Sequence, residues 1–247
     1  MATLKKKITT DKFQNDKLTA KQFLDKLILL QAKSSADNSQ FFRDEDKSNK
    51  TIGVRVSSIF GLAKQFSQMS LDEVEKLLDS DYYEARMGAV SIMDFQARNK
   101  NVSDTRRKQL YDIYIRRHAR INNWDLVDRC APYVVGGYLF DKDRKQLYKL
   151  AKSKNVWERR TAIVATYFFI RQNDVEDTFK IAELLIHDKH DLINKAVGSW
   201  IREAGKRDKQ KLLDFLNKFA ATMPRVTLRY AVEKLDKKEK EKYMNIR

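Results

Sequence analysis

The sequence is poor in the residues that punctuate and staple chains. Its 247 residues include a single cysteine, Cys130, two prolines and seven glycines. One thiol cannot build a disulfide framework, so a reducing compartment, the cytoplasm, is expected, with Cys130 as a buried thiol. The scarcity of proline and glycine excludes a many-stranded β fold and favours helices joined by short polar loops. No apolar run approaches the roughly 20 residues needed to cross a bilayer. Residues 1–8 are basic without an apolar signal core, so neither membrane insertion nor secretion is expected. Of three histidines, His187 and His190 lie three apart with Glu183 a turn earlier. That spacing suits a metal ion, but no cysteine cluster supports it, and a cap at a helix end is the better reading. Gly136-Gly137 carries neither a Walker nor a Rossmann pattern around it. No metal and no cofactor are expected.

What the chain has is apolar mass and positive charge. Apolar residues make up 42%, enough for a sizeable core, and 50 Lys+Arg against 34 Asp+Glu leave a net charge of +16. Such an excess points to a polyanionic partner, nucleic acid first, an anionic membrane surface or acidic protein second. Residues 1–17 read as a loose basic arm and residues 18–247 as one domain. Apolar spacing of period 3.6 predicts helices over 18–32, 54–67, 71–78, 83–97, 105–117, 124–133, 143–151, 157–170, 175–186, 192–204, 209–219 and 224–234. Residues 37–51 read as a charged loop anchored by Phe41 and Phe42. Pro224 suits a first helical position and Asp191 a cap. Helix pairs recur with a period of roughly 35–40 residues, the range of HEAT-like repeats. The expected fold is therefore an all-α superhelical solenoid of such repeats.

Cations recur along these helices: Arg106, Arg107, Lys108, Arg116, Arg117 and Arg120, then Arg159 and Arg160, then Arg202, Lys206, Arg207 and Lys209, then Arg225 and Arg229. Lining a concave face, they would form a track for a phosphate backbone. Scattered on an outer face, they would be solvated charges. Within this basic background Trp124 and Asp128 stand four apart, so on a helix they share one face. Two readings are open for them. Trp124 is a core anchor and Asp128 the partner of an arginine such as Arg160, or the pair meets a cation that develops on a substrate. Trp157, the Tyr167-Phe168-Phe169 cluster and single tyrosines such as Tyr111, Tyr114 and Tyr138 read as packing residues.

Arg-Ile-Asn-Asn-Trp-Asp-Leu-Val-Asp at 120–128 opens a series of familiar motifs. Val-Trp-Glu-Arg-Arg-Thr-Ala-Ile follows at 156–163, Lys-Ala-Val-Gly-Ser-Trp-Ile-Arg-Glu at 195–203, Met-Pro-Arg at 223–225 and Leu-Arg-Tyr-Ala-Val-Glu at 228–233. With Gly53-Val-Arg-Val56 before them, these resemble the AlkD-like DNA alkylation repair family, HEAT-like-repeat glycosylases acting on alkylated purines. The likeness spans roughly residues 50–235 in the expected order. It implies an enzyme on double-stranded DNA containing alkylated bases, and action as a monomer is the simplest expectation. Asp128 would be the catalytic aspartate, Trp124 would pack against the lesion nucleotide, and Arg160 or its neighbour Arg159 would stand beside the acid. The family is described as acting without flipping the base into a pocket, unlike most glycosylases. Arg120, Arg159, Arg202, Lys206, Arg207 and Arg225 are the candidate phosphate contacts. The chain departs from the pattern in two places. The family reads Gly-Trp where this sequence reads Gly198-Ser199-Trp200, so Trp200, a candidate lesion contact, is displaced by about 100° on a helix. Phe41-Phe42-Arg43 followed by Asp44-Glu45-Asp46 matches the family's N-terminal element poorly. A non-catalytic protein of the same fold that binds damaged or branched DNA is the alternative, and a helical-repeat protein for an acidic partner a further one.

Overall fold

The computed structural model describes residues 18–31, 36–38, 42 and 49–246. The arm expected over residues 1–17 lies outside them, as do Phe41, Arg43 and the Asp44–Asp46 run. Among the described residues the chain is helical throughout, with one isolated bridge between Lys50 and Tyr82. The helices are α1 (Ala20–Gln31), α2 (Val56–Gln65), α3 (Leu71–Leu78), α4 (Tyr83–Ala97), α5 (Asp104–Arg116), α6 (Trp124–Ala131), α7 (Gly137–Leu139) and α8 (Lys145–Ala151). They continue as α9 (Val156–Ala165), α10 (Tyr167–Arg171), α11 (Glu176–Leu185), α12 (Asp191–Gly205), α13 (Lys209–Phe219), α14 (Arg225–Ala231) and α15 (Lys237–Met244).

Two layers organise them. Helices α2, α4, α6, α9, α12 and α14 pack each on the next as a continuous inner row, while α3, α8, α11 and α13 back onto that row. This is the expected all-α repeat solenoid, in which each unit buries its apolar face against its neighbours. The outer helix α3 shows how the sequence achieves it. Val74, Leu77 and Leu78 form its buried stripe, and Asp72 and Glu73 sit in the first turn, where the helix dipole favours negative charge. The inner helix α4 differs, being buried at every residue but Phe95. Its charged residues Glu84, Arg86 and Asp94 therefore all need partners inside the protein. Glu84 finds them in the preceding segment, accepting hydrogen bonds from Asn38 Nδ2 (2.7 Å), Ile52 N (2.9 Å) and Gly53 N (2.8 Å). Gly53 holds φ at 92°, a conformation that side chains disfavour, which lets consecutive amides converge on that carboxylate.

Several boundaries differ from expectation for local reasons. The helical path that α6 begins does not stop near residue 133. Pro132 has no N–H for the carbonyl four residues back, and a π turn over Pro132–Gly136 carries the chain into α7. The single helix expected over 157–170 is divided at Thr166, whose hydroxyl donates back to the Ile163 carbonyl at 2.7 Å. The cap of α12 is His190, whose Nδ1 accepts from Leu192 N at 3.2 Å, rather than Asp191, which is already in the helix. Helix α15 has no counterpart among the expected elements. Asp236 caps it by accepting from Glu239 N at 2.9 Å.

Candidate active site

Helix α6 starts on the inner row directly after Asn123, a wholly buried residue in extended conformation. Trp124 is its first residue and Asp128 follows one turn later. Asp128 meets Arg160 of α9 in a two-pronged pair, Nε to Oδ1 at 2.8 Å and Nη2 to Oδ2 at 2.8 Å. A third donor, Arg160 Nη1, reaches the Leu192 carbonyl at the start of α12 at 2.6 Å. One guanidinium thus joins three successive inner helices. Of the two neighbouring arginines, Arg160 is the one beside Asp128. The Trp124 ring lies 5.9 Å from the Arg160 guanidinium carbon. Exposure gives the pair a direction: the Arg160 side chain is 7% exposed and that of Asp128 27%. The cation is inside and the carboxylate is presented outward.

The first turn of α6 is held from behind. Tyr83 of α4, buried, donates its hydroxyl to Asp125 Oδ2, and Leu126 N donates to Asp125 Oδ1 at 2.8 Å. Burial pushes the Asp125 carboxyl up to about 6, against these two hydrogen bonds, which lower it. On the next face of α9, Thr161 Oγ1 lies 2.9 Å from both the Tyr114 hydroxyl and His118 Nε2. Burial drives the His118 imidazole down to about 4, so it is neutral at pH 7. These side chains lock Asp128 and Arg160 in place through their neighbours in sequence. Tyr83 carried no signal in the sequence beyond its place at a helix start, and Asp125 was hidden between two better candidates.

The other expected residues are placed as follows. Trp200 donates its indole N–H to the Val164 carbonyl at 3.1 Å and packs edge-on to Tyr167 at 6.1 Å. Its register follows from Gly198, where an added Cβ would lie 2.5 Å from the Thr227 carbonyl oxygen of α14. With Gly198 pressed on α14, the residue two further along turns to α9. Arg120 donates to the Leu78, Asp79 and Ser80 carbonyls at 3.1, 3.0 and 2.7 Å, closing the C-terminus of α3. Arg159 is bound to both oxygens of Asp188 and to the Ser153 and Lys154 carbonyls. Arg202 pairs with Glu203 and Glu233, and Lys206 with Glu203. Arg225 donates to the Met244 and Ile246 carbonyls at the end of α15. Arg207 is exposed and has no ion pair among the described residues. Arg106 is buried, donating to Gln96 Oε1 at 2.9 Å, so it belongs to the core rather than to a surface track.

A family model of DNA alkylation repair enzymes matches residues 25–235. The chain belongs to the DNA alkylation repair enzyme family. Its partner is accordingly DNA. The fold is similar to that of a solved structure described as a predicted DNA alkylation repair enzyme from Enterococcus faecalis. The TM-score is 0.61 at 15% identity, over 82% of this chain and 98% of that one. No curated protein matches the sequence. The matched range includes the Trp124–Asp128–Arg160 constellation, the His118–Thr161 brace and Gly198. Among the described residues, no helix is long and apolar enough to cross a membrane.

Proposed function

We propose that this member of the DNA alkylation repair family is a monofunctional glycosylase acting as a monomer, without metal or cofactor, on N3- and N7-alkylated purines in duplex DNA. The observation that carries the proposal is the outward carboxylate of Asp128, fixed in orientation by Arg160. An alkylated purine already bears positive charge, so its glycosidic bond is weakened and its departure needs little acid catalysis. As the C1′–N bond breaks, its electron pair passes to the purine, which leaves neutral, and the sugar becomes an oxocarbenium-like cation. Asp128 stands as the fixed negative charge for that cation and orients the water whose oxygen bonds to C1′. The water's proton is released to the carboxylate or to solvent. A charge held in place before the reaction stabilises the transition state without reorganisation. Trp124, partly exposed beside it, supplies an aromatic face for a cationic nucleotide.

The test is release of 3-methyladenine and 7-methylguanine from methylated duplex DNA. Asp128→Asn is expected to slow it by about 100-fold or more, the scale of losing one preorganised electrostatic group. Duplex binding without base release by the wild-type protein would favour the second reading, a non-catalytic protein of the same fold. One observation supports that second reading: Trp200 is engaged in packing, and Ser199 stands where the resemblance places a second aromatic residue.

A further inference from the structure

A second cluster of carboxylate and arginine lies on the inner row, outside the sequence motifs. Asp94 of α4 is fully buried and is flanked by two arginines. Arg98 Nε donates to its Oδ1 at 2.8 Å, and Arg129 Nη1 lies 3.1 Å from Oδ2. Both guanidiniums rest on aromatic rings. The Arg98 guanidinium carbon is 3.8 Å from the Tyr133 centroid, and that of Arg129 is 4.6 and 4.8 Å from the centroids of Phe60 and Phe95. Arg129 Nε also donates to Ser91 Oγ at 3.2 Å. The cluster spans α2, α4, α6 and the π turn, and Arg129 directly follows Asp128 in the chain.

The use of the donors separates these arginines from the saturated ones. Arg120, Arg159 and Arg160 each spend three or four hydrogen bonds on protein acceptors. Among the described residues Arg98 spends only Nε, and its side chain is 42% exposed with both terminal nitrogens left over. Arg129, 18% exposed, spends Nε and one terminal nitrogen. Stacking and a buried counter-charge fix the planes of both groups, so little rotamer freedom is left to lose on binding. One buried negative charge against two arginines leaves the cluster with an outward charge of +1. A planar, oriented, unsaturated guanidinium is the geometry that grips a phosphate through two parallel hydrogen bonds.

We propose that the Asp94-anchored pair Arg98 and Arg129 is a phosphate clamp, binding a backbone phosphate of the duplex next to the nucleotide at Asp128. The location beside the damaged nucleotide rests on the glycosylase reading; the clamp itself needs only duplex DNA. The test is a salt titration of binding to undamaged duplex, which reads phosphate contacts whether or not any base is released. Arg98→Gln is expected to weaken binding by about 3- to 10-fold near 0.1 M salt and to reduce the slope of log K against log salt by about 0.9, the signature of one lost phosphate contact. Arg98→Lys keeps the charge without the planar fork, and is expected to keep most of the slope while losing affinity. A slope unchanged in folded Arg98→Gln overturns the clamp. A lowered slope in a protein that releases no base upholds the clamp and defeats the glycosylase reading.

Discussion

Asp128 and Asp94 are built from the same parts and face opposite ways. Each is an aspartate on an inner helix with an arginine bonded to it. At Asp128 the arginine is the buried member and the carboxylate looks outward, with 7% and 27% of the side chains exposed. At Asp94 the carboxylate has no exposure and its arginines look outward. The reason lies in where each acid sits on its helix. Asp94 occupies α4, buried at every residue but Phe95, and the aromatic rings of Phe60, Phe95 and Tyr133 support the guanidiniums above it. Asp128 projects from the first turns of α6, and Arg160 comes up from beneath on α9. One cluster therefore turns a negative point outward and the other a positive one. A cationic sugar suits the first and a phosphate the second. Net charge, +16 over the chain, says nothing of this division.

The comparison breaks most severely if the inward arginine proves dispensable. Arg160→Gln removes a buried guanidinium that holds three helices, and is expected to cost about 3 kcal/mol of stability. Arg98→Gln leaves the buried Asp94 its second arginine, Arg129, and is expected to cost less, about 1–2 kcal/mol. Chemical denaturation of the two variants checks this, and equal losses would erase the distinction between inward and outward cations.

Acid titration sharpens the outward side. Burial holds His118 at about 4, below its ordinary 6.5, so the unfolded chain binds more protons between those values. That contribution to stability is complete above pH 6.5 and is lost as pH falls towards 4. Burial raises Asp125 from 3.8 to about 6, so its contribution runs the other way: it is complete below 3.8 and lost as pH rises towards 6. The two slopes oppose each other across pH 4 to 6. Asp125→Asn removes one of them and leaves the histidine slope, about 3 kcal/mol between pH 6.5 and 4. Thermal melts are expected to fall more steeply with acid in Asp125→Asn than in the wild type. Parallel profiles would show that Asp125 titrates at its ordinary value, so that burial does not outweigh its hydrogen bonds.

Much of this architecture was legible in the sequence. Helices 71–78, 83–97 and 209–219 were readable to the residue, the first because Ser70 and Asp79 bound its apolar stripe with polar residues. The solenoid followed from the spacing of the pairs. Helix α15 escaped because only Tyr243 is buried in it, although Asp236 and Glu239 stand three apart as a capping pair should. The helix expected over 124–133 already included Pro132; its continuation as a π turn to Gly136 and on into α7 escaped because apolar spacing of period 3.6 does not signal a π turn. The spacing of Trp124 and Asp128 revealed a shared face, and Arg160 emerged from motif order. Spacing could not reveal which member of an acid–arginine pair lies inside, because that depends on the helices packed around it. For the same reason Arg106 read as surface charge while lying in the core, and Arg98 was passed over.

The most direct test of opposite polarity is one competition titration of undamaged duplex against wild type, Asp128→Asn and Arg98→Gln at the same salt. Removing the outward carboxylate is expected to tighten binding by about 3-fold, and removing the outward arginine to weaken it by about as much or more. Shifts of opposite sign are expected; two shifts of the same sign, or none, mean that the clusters do not present opposite charges to the duplex.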